Sequence, residues 1–178
     1  MTLLLLARHG ETDWNRDGIW QGHANQPLNE LGRRQSRELA ARLAGVELAA
    51  IYSSDLRRAL ETAEIVAAAR SLTVVADPGL REMDVGSWTG LTGEQIAERF
   101  PRVAYHDGET RDAFQARVVS TVTRIARVHE GEQQLLIVAH GGIVRAVQRH
   151  SLGEPLPVLE NCATYAFRFE GGVFRPID

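Results

Sequence analysis

The chain has 178 residues, 20 basic and 23 acidic, giving a net charge of -3, with 44% apolar and 24% charged residues. Such values describe a globular chain long enough for a single domain over 1–178, and they exclude the basic field that a nucleic-acid partner requires. Every basic residue is Arg, which excludes a Schiff-base lysine and a Walker-type phosphate loop, while the lone Cys162 excludes an internal disulfide and a Cys-His metal cluster and fits a reducing, cytoplasmic setting.

The chain opens on Thr2 to Ala7, a short apolar run read as a buried, central, parallel strand that ends at Arg8-His9-Gly10. The run is too short for a secretory core, and no stretch approaches a membrane span. Gly10 to Pro27 is polar and reads as a long functional loop. Asn29 caps a helix carrying Leu31, Leu39, Ala40 and Leu43 on one face and closed by Gly45. A strand over Leu48 to Tyr52 leads through Ser53-Ser54 into a helix from about Leu56 to Ala69, with Leu60, Ala63, Ile65 and Val66 toward the core.

Thr73 to Ala76 reads as a third strand, stopped by Asp77-Pro78-Gly79. Leu80 to Leu91 has no clear period. Thr92 with Gln95 makes a capping box for a short helix ending before Pro101. Arg102 to Glu109 reads as a polar loop, and Thr110 to His129 as an amphipathic helix built on Phe114, Val118, Val122, Ile125 and Ala126. Leu135 to Ala139 is an apolar strand ending at His140-Gly141-Gly142, and a helix follows through Ile143, Val144 and Val147. Ala163 to Phe169 and Val173 to Ile177, joined at Gly171-Gly172, read as a hairpin whose edge can pair with a second copy to make a homodimer. Strands alternating with helices indicate an α/β domain with a largely parallel sheet.

In such sheets ligands bind beyond the carboxyl ends of the strands. Two strands, LLLLARHG and LLIVAHGG, each deliver a histidine there, and Ser53-Ser54 leads to Arg57-Arg58 at the same edge. A site collecting Arg8, His9, Arg58 and His140 suits a phosphoryl group. Guanidinium groups grip its oxygens, and a histidine held among cations stays unprotonated and nucleophilic. Glu82 or Asp84 supplies a carboxyl group to protonate the leaving oxygen.

The stretches ARHGETDWN, IWQGHANQPLNELGRRQ, IYSSDLRRALETA, LREMDVGSWTGLT and VAHGG together resemble the histidine phosphatase superfamily, the phosphoglycerate mutase-like proteins. They follow family order to about Arg149. The resemblance implies a three-layer α/β/α sandwich with a mostly parallel sheet. It also implies that His9 is the phosphoryl acceptor, that Glu82 is the proton donor, and that Arg8, Arg58 and His140 complete the phosphate pocket. Asn15 and Gln21, with Gly22 and Gly141, join the binding set. No metal or organic cofactor is implied, and the implied partner is a small phosphorylated metabolite.

The family holds phosphatases and mutases. The segment from Glu82 to His140 is short, which favours hydrolysis; phosphoglycerate mutase-type transfer is the alternative. Asp107 to Arg111 resembles the Gly-Glu-Ser turn of short phosphatases, so this loop is expected to roof the pocket, with Glu109 facing substrate or capping a helix. Trp14, Trp20 and Tyr105 either line the mouth or pack. Arg57 and Asp84 read as surface or turn residues. His23, His106, His129 and His150 read as structural or exposed, and Cys162 as a core residue.

Overall fold

A computed structural model describes residues 1–102, 107–131, 134–153 and 159–177. Their elements are β1 (Thr2–Arg8), α1 (Asp13–Arg16), α2 (Glu30–Arg42), β2 (Ala50–Ser53), α3 (Arg57–Ala68), β3 (Val74–Ala76), α4 (Gly93–Arg99), α5 (Arg111–Val128), β4 (Gln134–Ala139), α6 (Gly141–Leu152), β5 (Thr164–Glu170) and β6 (Val173–Ile177). Single 3₁₀ turns at Pro78–Leu80 and Gly86–Trp88 punctuate the aperiodic stretch.

The strands form a six-stranded sheet in the order β3-β2-β4-β1-β5-β6. β3, β2, β4 and β1 run parallel, and β5 and β6 add antiparallel at one side. β4 is apolar throughout its Leu135–Ala139 stretch because both its faces are covered. Side chains alternate across it. Leu135 and Ile137 join Leu4, Leu6, Val118, Val122 and Val147 under α5 and α6. Leu136 and Val138 join Ile51, Leu39, Ala63 and Val66 under α2 and α3. Two helical layers therefore sandwich one sheet, giving the three-layer α/β/α arrangement.

Local chemistry sets the element ends. Asn29 accepts from the Gly32 amide, Thr110 from Ala113, and Thr92 with Gln95 closes the capping box before α4. Three details differ from the sequence reading. The polar stretch after His9 is not all loop: Thr12 and Asn15 form a second capping box that nucleates α1. The helix α2 ends at Arg42 with Leu43 as its C-cap, ahead of Gly45. Leu60 and Ile65 are half-buried, and Arg58, Ala59 and Thr62 take core places beside Ala63 and Val66 on α3. Among the described residues no helix is long and apolar enough to cross a membrane.

Candidate active site

Strand order brings distant residues together. β1 and β4 are neighbours, with Arg8 in register with Ala139, so the residues following each strand emerge side by side. The His9 amide donates to the Ala139 carbonyl at 3.0 Å, and the Ser54 amide, at the end of β2, donates to the Val138 carbonyl at 3.0 Å. The His9 and His140 rings lie 5.2 Å apart between centroids, inclined at 64°. Both histidines are buried.

Each ring is held by a different nitrogen. His9 Nδ1 lies 2.6 Å from the Gly10 carbonyl oxygen. A carbonyl only accepts, so Nδ1 carries the proton and the neutral ring keeps its lone pair on Nε2. His140 Nε2 lies 2.9 Å from Ser54 Oγ, and its Nδ1 is buried without a partner. Burial, then the charges of Arg58 and Arg8, holds His9 well below the usual imidazole range. Burial, then Arg58, His9 and Arg8, does the same to His140.

Two guanidinium groups flank these rings. Arg58 is 1% exposed, which separates it from exposed Arg57 on the same helix start. Its Nη1 and Nη2 donate to the Ala24 and Gly22 carbonyls at 2.7 and 2.9 Å, while Nε is buried without a partner. Burial, opposed by Glu82 and reinforced by Arg8, pushes its pKa down to about 10. Arg8 Nη1 donates to the Leu159 carbonyl. Burial likewise lowers the Arg8 pKa, Glu82 raises it, and Arg145 lowers it further.

Glu82 faces this group across the cavity. Its Oε1 accepts from the Met83 amide at 2.9 Å and its Oε2 from the Gly142 amide at 3.0 Å, at the first turn of α6. The second bond needs a glycine: a Cβ at Gly142 would overlap Oε1. Asp84 is turned away, accepting from the Gly86 amide at 2.9 Å. So Glu82, and not Asp84, is the carboxylate of the site.

The Glu82 backbone is clamped from two sides. His23 Nε2–H donates to the Glu82 carbonyl at 2.8 Å. Arg117 on α5 donates to the carbonyls of Gly79, Arg81 and Glu82 and pairs with Glu109 through both carboxylate oxygens, at 2.8 and 2.6 Å. Glu109 therefore neither faces substrate nor caps a helix; the cap is Thr110. The loop carrying Glu109 is bound to the acid segment, with the Glu109 amide on the Asp84 carbonyl and the Ser87 amide on Asp107 Oδ1.

These residues border a cavity of about 400 Å³. Arg8, His9, Asn15, Gln21, Gly22, Arg58, Glu82 and Gly141 all line it. His140 lies beneath, against the His9 ring. Asn15 spends its Oδ1 on the Thr12 amide and hydroxyl, whereas Gln21 Oε1 is buried and unpartnered. Trp20 lines the mouth and stacks edge-on against Trp88. Trp14 does not line the cavity, and Tyr105 and His106 lie outside the described residues. His129 bonds Tyr52, His150 packs on Phe174, and buried Cys162 has its thiol pushed up to about 11. Among the described residues, no three His, Cys, Asp or Glu side chains cluster as a metal site would require.

Sequence reasoning missed Ser54, Arg117, Gly142 and Arg145, and read His23 as structural or exposed, in keeping with its bond to the Glu82 carbonyl. Ser54 was findable, since it ends the strand beside β4. The Arg117 and His23 contacts are with backbone carbonyls, which leave no mark in sequence. Chemically, the site combines a lone-pair nitrogen, converging cations and an opposed carboxylate, a set matched to a tetrahedral oxyanion.

The model of the histidine phosphatase superfamily (branch 1) matches residues 4–176. A metal-independent phosphoserine phosphatase of Arabidopsis thaliana is 37% identical over 161 residues, 83% of this chain and 67% of that protein. Phosphoglycerate mutase-like protein 4 of the same plant is 36% identical over 159 residues, covering 81% and 68%. The solved structure of Bacillus stearothermophilus YhfR superposes with a TM-score of 0.92 at 35% identity, over 99% of this chain and 95% of that one.

Proposed function

Because the chain belongs to the histidine phosphatase superfamily, we propose that it hydrolyses small phosphomonoesters through a phosphohistidine on His9. The observation that carries this reading is the 2.6 Å bond from His9 Nδ1 to the Gly10 carbonyl. That bond fixes the tautomer with Nε2 unprotonated, and burial among Arg8 and Arg58 keeps it so.

Nε2 attacks phosphorus as the bond to the ester oxygen breaks. Arg8 and Arg58 match the charge spread over the phosphoryl oxygens, and Gln21 and Asn15 hold the group in line. His140 donates from Nδ1 when Ser54 hydrogen-bonds to its Nε2. Glu82, protonated, gives its proton to the leaving alkoxide. Its carboxylate then takes a proton from the water that attacks the phosphohistidine, and phosphate departs with the imidazole restored. Nothing in this sequence calls on a metal.

The test uses purified protein with 4-nitrophenyl phosphate and a panel of phosphorylated metabolites. Expected are release of free phosphate, inhibition by vanadate, indifference to a chelator, and a trapped phosphoryl adduct that is acid-labile and base-stable. Isomerised ester in place of free phosphate would establish the mutase alternative. Activity lost to a chelator and restored by a divalent ion would remove the metal-free mechanism.

A further inference from the structure

The cavity is cationic at its floor and apolar along its walls, where Trp20, Val85, Phe114 and Leu159 stand. One more charge borders it: Arg145, on α6. Of the other half-buried arginines, Arg33, Arg81 and Arg117 pair with Glu61, Asp55 and Glu109, and Arg8 and Arg70 donate to backbone carbonyls. Arg145 has neither a hydrogen bond nor an ion pair with any described residue. Its direction follows from helical spacing. Gly141 and Gly142 precede it by four and three residues, on the same face, and both line the cavity. Its charge reaches Arg8, whose pKa it helps to lower, after burial and against Glu82. Three arginines thus border one cavity, and a phosphoryl group on His9 accounts for Arg8 and Arg58 but not for Arg145.

We infer that Arg145 binds a carboxylate of the substrate, so that the favoured esters are phosphorylated carboxylic acids. The phosphoryl group sits on the floor, and the acid group reaches the first turns of α6. A single guanidinium balances the charge of a monoanionic carboxylate, which it holds with two parallel bonds, and would leave a second phosphate dianion half-neutralised. Apolar walls on either side strengthen that pair relative to water. The inference rests on the phosphatase reading and deepens it.

The test compares kcat/KM for two esters that differ only at the acid group, 3-phosphoglycerate and glycerol 3-phosphate, with 4-nitrophenyl phosphate as the control for turnover. The native protein is expected to favour the acid on the order of 10- to 100-fold, the range for a hydrogen-bonded ion pair. Arg145→Gln brings the ratio close to unity, and Arg145→Lys restores part of it, which a merely structural role would not do. A native ratio near unity, or a ratio indifferent to Arg145→Gln, overturns the inference, as does a stronger preference for a glycerol bisphosphate. Absence of turnover on every ester, 4-nitrophenyl phosphate included, defeats the phosphatase reading instead. Calorimetric binding of the same two esters to His9→Ala then reads the inference without chemistry. Preference for the acid, lost when Arg145→Gln is added, upholds it, and equal affinities overturn it.

Discussion

The ends of β1 and β4 look alike in sequence, LLLLARHG and LLIVAHGG, and lie side by side in the sheet. They do different things with their histidines. His9 donates a hydrogen bond from Nδ1–H to a carbonyl of its own chain segment, and His140 bonds the Ser54 hydroxyl with Nε2. A carbonyl permits one tautomer and a hydroxyl permits two. So the first ring is committed before any ligand arrives, with its nucleophilic nitrogen fixed. The second can present Nδ1 either as donor or as lone pair, and an arriving oxyanion selects the donor. Similar strand ends yield one ring with a fixed lone pair and one ring free to adapt because the partner differs, not the histidine.

The largest expected effect breaks this comparison directly. His9→Ala should lower kcat by at least about 10⁴-fold, the scale seen when a nucleophile is removed, and should abolish the acid-labile adduct. His140→Ala should cost roughly 10² to 10³, the scale of one transition-state donor, with the adduct still trappable on rapid quench. Equal losses, or an adduct located on His140, would show that the two ends are interchangeable.

The glycines that follow each histidine sharpen the contrast. A Cβ on Gly10 would overlap the Gly32 carbonyl, so that glycine lets β1 approach α2. A Cβ on Gly142 would overlap the Glu82 carboxylate. Gly10→Ala should therefore act on stability, by about 1–3 kcal/mol as overpacking does. Gly142→Ala should act on the proton donor: roughly 10²-fold in kcat on an alkyl phosphate, and distinctly less on 4-nitrophenyl phosphate, whose leaving group needs little protonation. Thermal unfolding and kcat on both esters separate the two. A uniform loss for both esters in Gly142→Ala would sever the link to Glu82.

Legibility in the sequence follows the same division. The floor was readable because strand ends leave a double mark, an apolar run and then a functional residue at a fixed place beyond it. His9 and His140 carry that mark, whereas Arg58 was singled out from Arg57, and Glu82 from Asp84, by resemblance to the family. What escaped works through backbone or through helix geometry. Arg117 holds three carbonyls that any residue supplies. Glu109 could not be placed because its partner sits eight residues on, across a helix start. The short helix α1 escaped because four residues carry too little period to register against polar neighbours. Arg145 sat unremarked beyond Gly141-Gly142, since only the built cavity shows which face of α6 is lined.

The smallest effect asks whether the two histidines, unlike in bonding, are alike in charge. Burial first and Arg58 next lower both imidazoles from the ordinary value of 6.5. The native protein therefore refuses protons that the unfolded chain accepts once pH drops below about 6.5. Stability is full above that value and declines as pH falls toward the native pKa of each ring. Each ring contributes a slope of at most about 1.4 kcal/mol per pH unit. Two neutral rings give about one such slope at pH 6.5 and approach twice it toward pH 5, above the range in which ordinary carboxylates titrate. Urea unfolding across this window should show the steeper slope in the native protein and half of it in His140→Gln, whose amide still reaches Ser54 but cannot titrate. A slope unchanged by that substitution would mean that His140 is already cationic in the folded state, and the two strand ends would then differ in charge as well as in partner.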